Sequence, residues 1–143
     1  MRRVTSWDVR LVQFAREVVG ASFVWGDTDC ATLMRRAQSV LLGSDPFKGR
    51  VGNWTTKRGA LRVVKNLDVL KALRTSGGVE VGERYATAGD VMLGAGVDAR
   101  GLAQLATVLP VGKVLASTPE TGVVIVRRKD LEPGARFWRY VNE

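Results

Sequence analysis

The spacing of the hydrophobic residues changes near Gly78 from a helical to an extended period, and this change limits what the chain can fold into. Before Gly78, two segments carry apolar residues at helical spacing: Trp7, Leu11, Phe14, Ala15 and Val18, then Cys30, Leu33, Met34, Ala37, Val40 and Leu41. Beyond it, the apolar segments are short and separated by Gly, Pro or Asp. Helices followed by strands predict an α+β fold, in which N-terminal helices pack on an antiparallel β-sheet.

Residues typical of helix ends bound the two long helical segments. Thr5 or Ser6 is the predicted N-cap of the first helix, and Gly20 is its predicted stop. Asp29 is the predicted N-cap of the second helix, with Gly43 after its end. Both helices are therefore expected to have defined ends.

Two shorter helices are predicted before the strands. The first covers residues 56 to 66, and its outer face is basic: Lys57, Arg58, Arg62 and Lys65. The second is opened by Asp68 and closed at residues 76–78, which read Ser-Gly-Gly.

Six strand segments follow, at residues 79–81, 90–93, 103–109, 113–116, 123–128 and 136–141. Pro110 to Gly112 lie between two of them and predict a hairpin turn. The chain has no internal repeat, linker or low-complexity segment, so we expect residues 1–143 to form one domain.

The composition excludes several kinds of site. The 143 residues include one cysteine and no histidine, which excludes an internal disulfide, a cysteine-built zinc site, a conventional zinc enzyme and a serine–histidine relay. We therefore expect neither a metal nor another cofactor. No apolar run approaches the roughly 20 residues of a membrane span, and no apolar segment of a signal peptide follows Arg2 and Arg3. The expected compartment of synthesis is a reducing cytoplasm.

The chain is basic, with 22 Lys and Arg against 14 Asp and Glu, a net charge of +8. This charge favours anionic partners. The basic residues are spread along the chain, which indicates a diffusely basic, solvated surface. Because there is no helix-turn-helix, aromatic-rich strand motif or zinc spacing, nucleic acid is not an expected partner.

The segment FVWGDTDCATL, residues 23–33, places Cys30 in the first turn of the second predicted helix. Unpaired N–H groups and the helix dipole stabilise a thiolate at such a position. A tight turn, Trp25 to Asp27, leads into the helix. Two interpretations of Cys30 are open: a nucleophile presented at a helix start, and a small buried hydrophobic residue.

This segment resembles the NlpC-type branch of papain-like cysteine peptidases, whose members open with a helix and then an aromatic-x-x-Gly-x-x-Asp-Cys stretch. The chain is also similar to an uncharacterised subgroup encoded in phage and prophage tail-gene clusters. That subgroup carries F-x-W-G-x-x-D-C-A, an Asp-Pro, a basic helix, a Gly-Asp-Val strand and a late Trp-Arg. The matching residues span almost the whole chain: Phe23, Trp25, Gly26, Asp29, Cys30, Ala31, Asp45, Pro46, Gly89, Asp90, Val91, Trp138 and Arg139. The resemblance implies a papain-like fold.

In active members of the branch, the strand after the Gly-Asp-Val segment opens with the catalytic histidine, and the next strand brings a polar residue that orients it. The resemblance implies that Gln104 stands at the histidine position and Ala116 at the orienting position, with a shift of one residue allowed at both. Peptide cleavage needs a thiolate and a positioned acid, and glutamine cannot exchange a proton near neutral pH. Cys30 is then a vestigial nucleophile, unless a partner protein or an acid replaces the imidazole. The candidate acids are Asp27, Asp29 and Glu83.

The resemblance further implies a structural or assembly protein of a phage tail tip or baseplate. Its partners would be hub, distal-tail or tape-measure-adjacent proteins, and its location the virion tail, after synthesis in the bacterial host cytoplasm. Candidate binding residues are Trp25, Asp29 and Trp54, and we expect Trp54 to be exposed because its loop is rich in turn formers. The alternative is a peptidoglycan cysteine endopeptidase that uses Cys30 as its nucleophile and opens the cell wall for the incoming genome.

Overall fold

The computed structural model describes residues 2–65, 68–97 and 103–140. Four α-helices lie where the hydrophobic spacing predicts them: α1 Trp7–Val18, α2 Cys30–Leu42, α3 Lys57–Lys65 and α4 Val69–Thr75. The buried residues of α1 and α2 include Leu11, Phe14, Leu33 and Leu41. The end predicted for the third helix, at Asn66, lies outside the described residues. None of the described helices is long and apolar enough to cross a membrane.

The predicted caps are confirmed for α2 and α4. Asp29 and Asp68 each accept a hydrogen bond from the backbone N–H three residues further on, at 3.0 and 3.1 Å. Gly43 follows α2 with a left-handed φ of 80°, a conformation that glycine adopts without strain. Ser6, one of the two residues predicted for the N-cap of α1, stands at that position, but its φ is 58° and its side chain makes no capping hydrogen bond.

The second half of the described chain forms one antiparallel sheet of six strands. Their bounds are β1 Val79–Val81, β2 Val91–Val97, β3 Ala103–Leu109, β4 Lys113–Thr118, β5 Gly122–Arg127 and β6 Arg136–Arg139. The order across the sheet is β1-β6-β2-β3-β4-β5, and every neighbouring pair is antiparallel. The predicted hairpin turn is confirmed, because Leu109 pairs with Lys113 across it. The sheet and helices confirm the predicted α+β class. Val141, the predicted end of the last strand, lies outside the described residues.

The two faces of the sheet belong to two hydrophobic clusters. The helix face packs against α1 and α2 and contributes Val91, Leu105, Leu109, Leu115, Val123 and Trp138 to the larger cluster. The outer face forms a smaller cluster of Met92, Val108, Val114 and Phe137. Successive strand residues point to opposite faces of the sheet. Whether a strand residue occupies an odd or an even place in this alternation, here called its parity, therefore decides whether its side chain lies near α2.

Two motifs that are distant in the sequence meet at Asp90. Its buried carboxylate accepts two hydrogen bonds from Arg139, at 2.8 and 2.9 Å, and one from the backbone N–H of Thr87 at 2.9 Å. The bond to Asp90 raises the pKa of Arg139. Arg3 also lies beside Asp90, at 3.8 Å, and burial lowers its pKa. Gly89 has a φ of 91°, and a Cβ there would crowd the Arg3 guanidinium. The Gly-Asp-Val and Trp-Arg motifs thus form one ion-paired unit that ties β2 to β6.

Candidate functional site

Cys30 is the first residue of α2, as predicted, and is half-buried against the larger hydrophobic cluster. The turn before it is closed by the carbonyl of Val24, which accepts hydrogen bonds from the backbone N–H groups of residues 27, 28 and 29. Gly26 has a φ of 82° in this turn, and a Cβ there would overlap the backbone carbonyl of Trp54. The glycine of the motif is therefore required both by its conformation and by the close approach of a second loop.

Asp29 organises the start of α2. Its carboxylate accepts hydrogen bonds from the backbone N–H of Gly26 at 2.7 Å, from the N–H and hydroxyl of Thr32 at 3.0 and 2.8 Å, and from the indole of Trp54 at 3.0 Å. The residue is 2% exposed. Three of these donors converge on Oδ2 and one reaches Oδ1, so the carboxylate serves as a structural acceptor for the turn, the helix start and the Trp54 loop.

The expectation that Trp54 is exposed is wrong. Its side chain is buried, and its N–H points at Asp29. The turn-rich sequence around it indicated a surface loop, but this loop folds back onto the turn that precedes Cys30. Trp25 is half-buried and packs edge-on against Phe23, with ring centroids 4.8 Å apart. A binding role for Trp25 stays a prediction.

Gln104 points away from α2. On β3, Leu105 belongs to the helix face, whereas Ala106 and Val108 belong to the outer face. Strand alternation places Gln104 with the latter pair. The neighbouring strand β2 supports this orientation. Gly94 lies two residues from Met92 of the outer face, and a Cβ built on Gly94 would lie 3.3 Å from the Cβ of Gln104.

Ala116 also points to the outer face. It pairs with Val124, whereas the next residue, Ser117, pairs with Val123 of the larger cluster. The register of β3 on β4 then places Ser117 beside Leu105. Within the one-residue shift that the family resemblance allows, Leu105 on β3 and Leu115 and Ser117 on β4 lie on the helix face, whereas Gln104 and Ala116 do not.

The side chains at these two places carry no titratable group. Leu105 is apolar and buried. Ser117 is 3% exposed, and its hydroxyl finds no hydrogen-bond partner among the described residues. A hydroxyl beside a leucine can accept or donate a hydrogen bond, but it cannot exchange a proton near neutral pH.

The three acids considered as replacements for an imidazole lie in an ion pair, a buried hydrogen-bond network and a groove on the outer face of the sheet. Asp27 is exposed and forms an ion pair with Arg36 at 3.0 Å. Asp29 is buried, and its carboxylate accepts four hydrogen bonds. Glu83 lines a groove on the outer face with Met92 and Phe137. Among residues 2–65, 68–97 and 103–140, no cluster of three or more acids or cysteines could hold a metal ion.

Nearly the whole chain, residues 2–140, matches the family described as "Domain of unknown function (DUF6950)". The chain belongs to the DUF6950 family. No curated protein matches the sequence of this DUF6950 chain.

Two solved structures that are similar to the DUF6950 chain are NlpC/P60 proteins. One is an NlpC/P60 family protein from Bacillus cereus ATCC 10987, with a TM-score of 0.57 and 18% identity over 94% of this chain; the match spans 40% of that protein. A second is RipD from Mycobacterium tuberculosis, described as a non-catalytic NlpC/p60 domain protein with an adaptation to peptidoglycan-binding function. Its TM-score is 0.54 and its identity 16%, over 95% of this chain and 98% of that one. These similarities confirm the predicted NlpC-type fold.

Sequence reasoning missed three residues of this site: Trp54 as a partner of Asp29, and Leu105 and Ser117 as the residues that face α2. A signal for the last two was present. Leu105, Thr107 and Leu109 alternate with smaller or polar residues, a pattern that predicts which side of β3 faces the core.

Proposed function

We propose that this protein is a non-catalytic member of the NlpC/P60 fold that acts by binding, as a structural or assembly component of a phage tail tip or baseplate. The observation that carries the proposal is the residue that faces α2 near the start of β3. It is Leu105, one residue from Gln104, where the resemblance puts the catalytic histidine with a shift of one residue allowed, and the chain contains no histidine at all.

Chemistry makes hydrolysis by this arrangement slow. Cleavage of a peptide needs a base to activate the thiol and an acid to protonate the leaving amine, and such acid–base work contributes about 10²–10⁴-fold. Leucine supplies neither, and a neighbouring serine hydroxyl cannot compensate. The scaffold around Cys30 nevertheless persists, since Gly26, Asp29 and Trp54 form a closed network. Retention of a scaffold without its acid–base group fits a binding protein.

The tail setting rests on the resemblance to tail-cluster proteins. The residues that carry it lie in three structural units: the turn into α2, the Asp90–Arg139 ion pair, and the Asp45 carboxylate that pairs with Arg35 at 2.7 Å. We propose hub, distal-tail or tape-measure-adjacent proteins as partners and the virion tail as the location.

The experiment has two arms. Purified protein is incubated with peptidoglycan beside a Cys30→Ala variant, and we expect both to release equal, background amounts of muropeptides. The gene is deleted from its phage or prophage, and tails are purified with and without complementation. We expect the protein in the tails and defective particles without it. Muropeptide release that requires Cys30 contradicts the non-catalytic proposal, and normal tails lacking the protein contradict the assembly role.

A second candidate is binding of peptidoglycan without cleavage, favoured by the similarity to RipD, which is described as non-catalytic and peptidoglycan-binding. Co-sedimentation with purified cell walls tests it, at high salt because a chain of net charge +8 adheres to anionic polymers nonspecifically. The catalytic alternative, an endopeptidase with Cys30 as nucleophile, would require a partner that supplies the missing acid. Release of muropeptides by assembled tails, lost with Cys30→Ala, would support it.

A further inference from the structure

The outer edge of β5 leaves backbone groups without partners. The backbone groups of Val123 point away from β4: its carbonyl accepts a hydrogen bond from the N–H of Gly20 and its N–H donates one to Ala21, both at 2.9 Å. The N–H of Arg128 points the other way, toward the β4 side, and donates to the carbonyl of Gly112 at 2.8 Å. In an antiparallel pair these directions alternate, so the N–H groups of Ile125 and Arg127 point outward with Val123. No described residue bonds to the outward groups of Ile125.

An apolar cleft of about 390 Å³ lies beside this edge. It is lined by parts of α1, the β3–β4 turn and β5: Val12, Ala15, Leu109, Pro110, Val111 and Ile125, with Arg16 and Lys113. Ile125 is 37% exposed and Val111 is 92% exposed. An edge with unpaired backbone groups and adjacent apolar space is what extended segments bind by adding a strand to a sheet.

The turn at the cleft carries a further sign of a contact surface. Val111 has a φ of 61°, a left-handed conformation that is unfavourable for a β-branched residue. Glycine or asparagine would fit this position without strain, and neither would expose an apolar side chain. A strained and almost fully exposed valine does nothing for the fold, but it provides an apolar contact beside the cleft.

The charges around the cleft identify the partner's chemistry. Among the residues that line it, Arg16 and Lys113 are basic and none is acidic. Arg127, at the end of the edge, is 59% exposed and its side chain pairs with Asp130. A second copy of this chain would bring the same cations together, and each copy carries a net charge of +8. The edge therefore suits an acidic partner.

We propose that the β5 edge, meaning the outward backbone of Ile125 and Arg127 together with this cleft, binds an extended protein segment that carries apolar and acidic side chains on the same face. The segment adds a strand to the sheet, and every second side chain points toward the cleft. On that face the apolar side chains enter the cleft and the acids meet Arg16 and Lys113. The edge does not involve Cys30, so this proposal holds or fails independently of the non-catalytic function proposed above.

The test uses the full-length ¹⁵N-labelled protein and an acetylated, amidated eight-residue peptide in which every second residue is threonine. The residues between the threonines are valine and glutamate in turn, so that both kinds of side chain lie on one face of the strand. Amide hydrogen exchange is measured with and without the peptide at saturation. We expect the amides of Ile125 and Arg127 to exchange fast in the unbound protein and at least tenfold more slowly in the complex. The amides of Val124 and Val126, which bond to β4, are the internal controls, and their exchange should change little.

Two variants of the protein and two control ligands complete the test. Lys113→Glu should weaken peptide binding at low salt. Val111→Gly should weaken binding while the midpoint of urea unfolding stays the same or rises, because glycine relieves the strained φ. The proposal is overturned if the peptide leaves the Ile125 and Arg127 amides unprotected. It is equally overturned if the same peptide with lysine in place of glutamate, or oligo-dT, protects them as well. Protection that appears with rising protein concentration alone would mean a second copy and would also overturn it.

Discussion

Replacing Asp29 by alanine tests whether the motif aspartate is primarily a structural residue. The change removes the N-cap of α2, which is worth about 1 kcal/mol. It also leaves the N–H groups of Gly26 and Trp54 without their acceptor in a buried place, at about 1–3 kcal/mol each. Together these terms predict that Asp29→Ala lowers the free energy of unfolding by about 3–7 kcal/mol. A loss of that size is a large part of the roughly 5–15 kcal/mol that holds a typical domain together.

The assay is urea unfolding at 25 °C, with Asp68→Ala as the matched control. Asp68 caps α4 through one exposed hydrogen bond of 3.1 Å and has no second loop to hold. Its replacement should cost about 1 kcal/mol, the value of a cap alone. If Asp29→Ala proves too unstable to purify, Asp29→Asn retains one acceptor oxygen and should lie between the two.

The Trp54 bond can be isolated by a double-mutant cycle with Trp54→Phe, which removes the indole N–H and keeps an aromatic ring. We expect a coupling energy of about 1–2 kcal/mol between positions 29 and 54. An Asp29→Ala variant no less stable than Asp68→Ala, or a coupling energy near zero, would refute the reasoning. The hydrogen bonds of Asp29 would then not be what holds the turn before Cys30.

Three further predictions concern single positions. Gly26→Ala should lower the free energy of unfolding, measured in urea, by about 2 kcal/mol or more, because the φ of residue 26 is 82° and the added Cβ would overlap a neighbouring backbone. Gly20→Ala is the control: the φ there is 88° but the space around it is open, so the loss should be smaller. Burial raises the pKa of Tyr140 to about 12, so the protonated form is favoured in the folded state. Its contribution to stability should be complete below about pH 10 and lost as the pH rises to about 12, and thermal melts of Tyr140→Phe should lack this component. Leu105→His should raise the rate of thiol alkylation by iodoacetamide at pH 7 about tenfold, whereas Gln104→His, on the outer face, should leave it unchanged.

The order of elements and several helix ends could be predicted because they depend on local physics. Asp29, Asp68 and Gly43 act within one turn of their own position, so a cap or a left-handed glycine is visible in the sequence itself. The N-cap of α1 was predicted at the right place, but its hydrogen bond was not. Ser6 is the N-cap residue, yet its backbone is left-handed and its side chain makes no capping hydrogen bond.

The role of Trp54 could not be predicted, because it depends on a contact across 25 residues. Its neighbours favour turns, and a turn-rich loop usually lies on the surface. Here the loop lies against Gly26, whose missing side chain provides the space, so the glycine of one segment explains the burial of another. A sequence shows that Gly26 is a glycine, but it does not show which backbone uses the space.

The predicted positions of the family's histidine and orienting residue, Gln104 and Ala116, show that an alignment error of one residue can put a side chain on the wrong face of a sheet. Counting from a turn carries an uncertainty of about one residue. On a strand, one residue moves a side chain from one face of the sheet to the other. Gln104 and Leu105 therefore differ by one position in the chain and by the full thickness of the sheet in distance from α2. A glutamine that faced Cys30 could have donated a hydrogen bond to a thiolate, whereas a leucine offers only packing. Because it is Leu105 and not Gln104 that faces α2, the structure favours a binding protein built on a peptidase fold over a working peptidase.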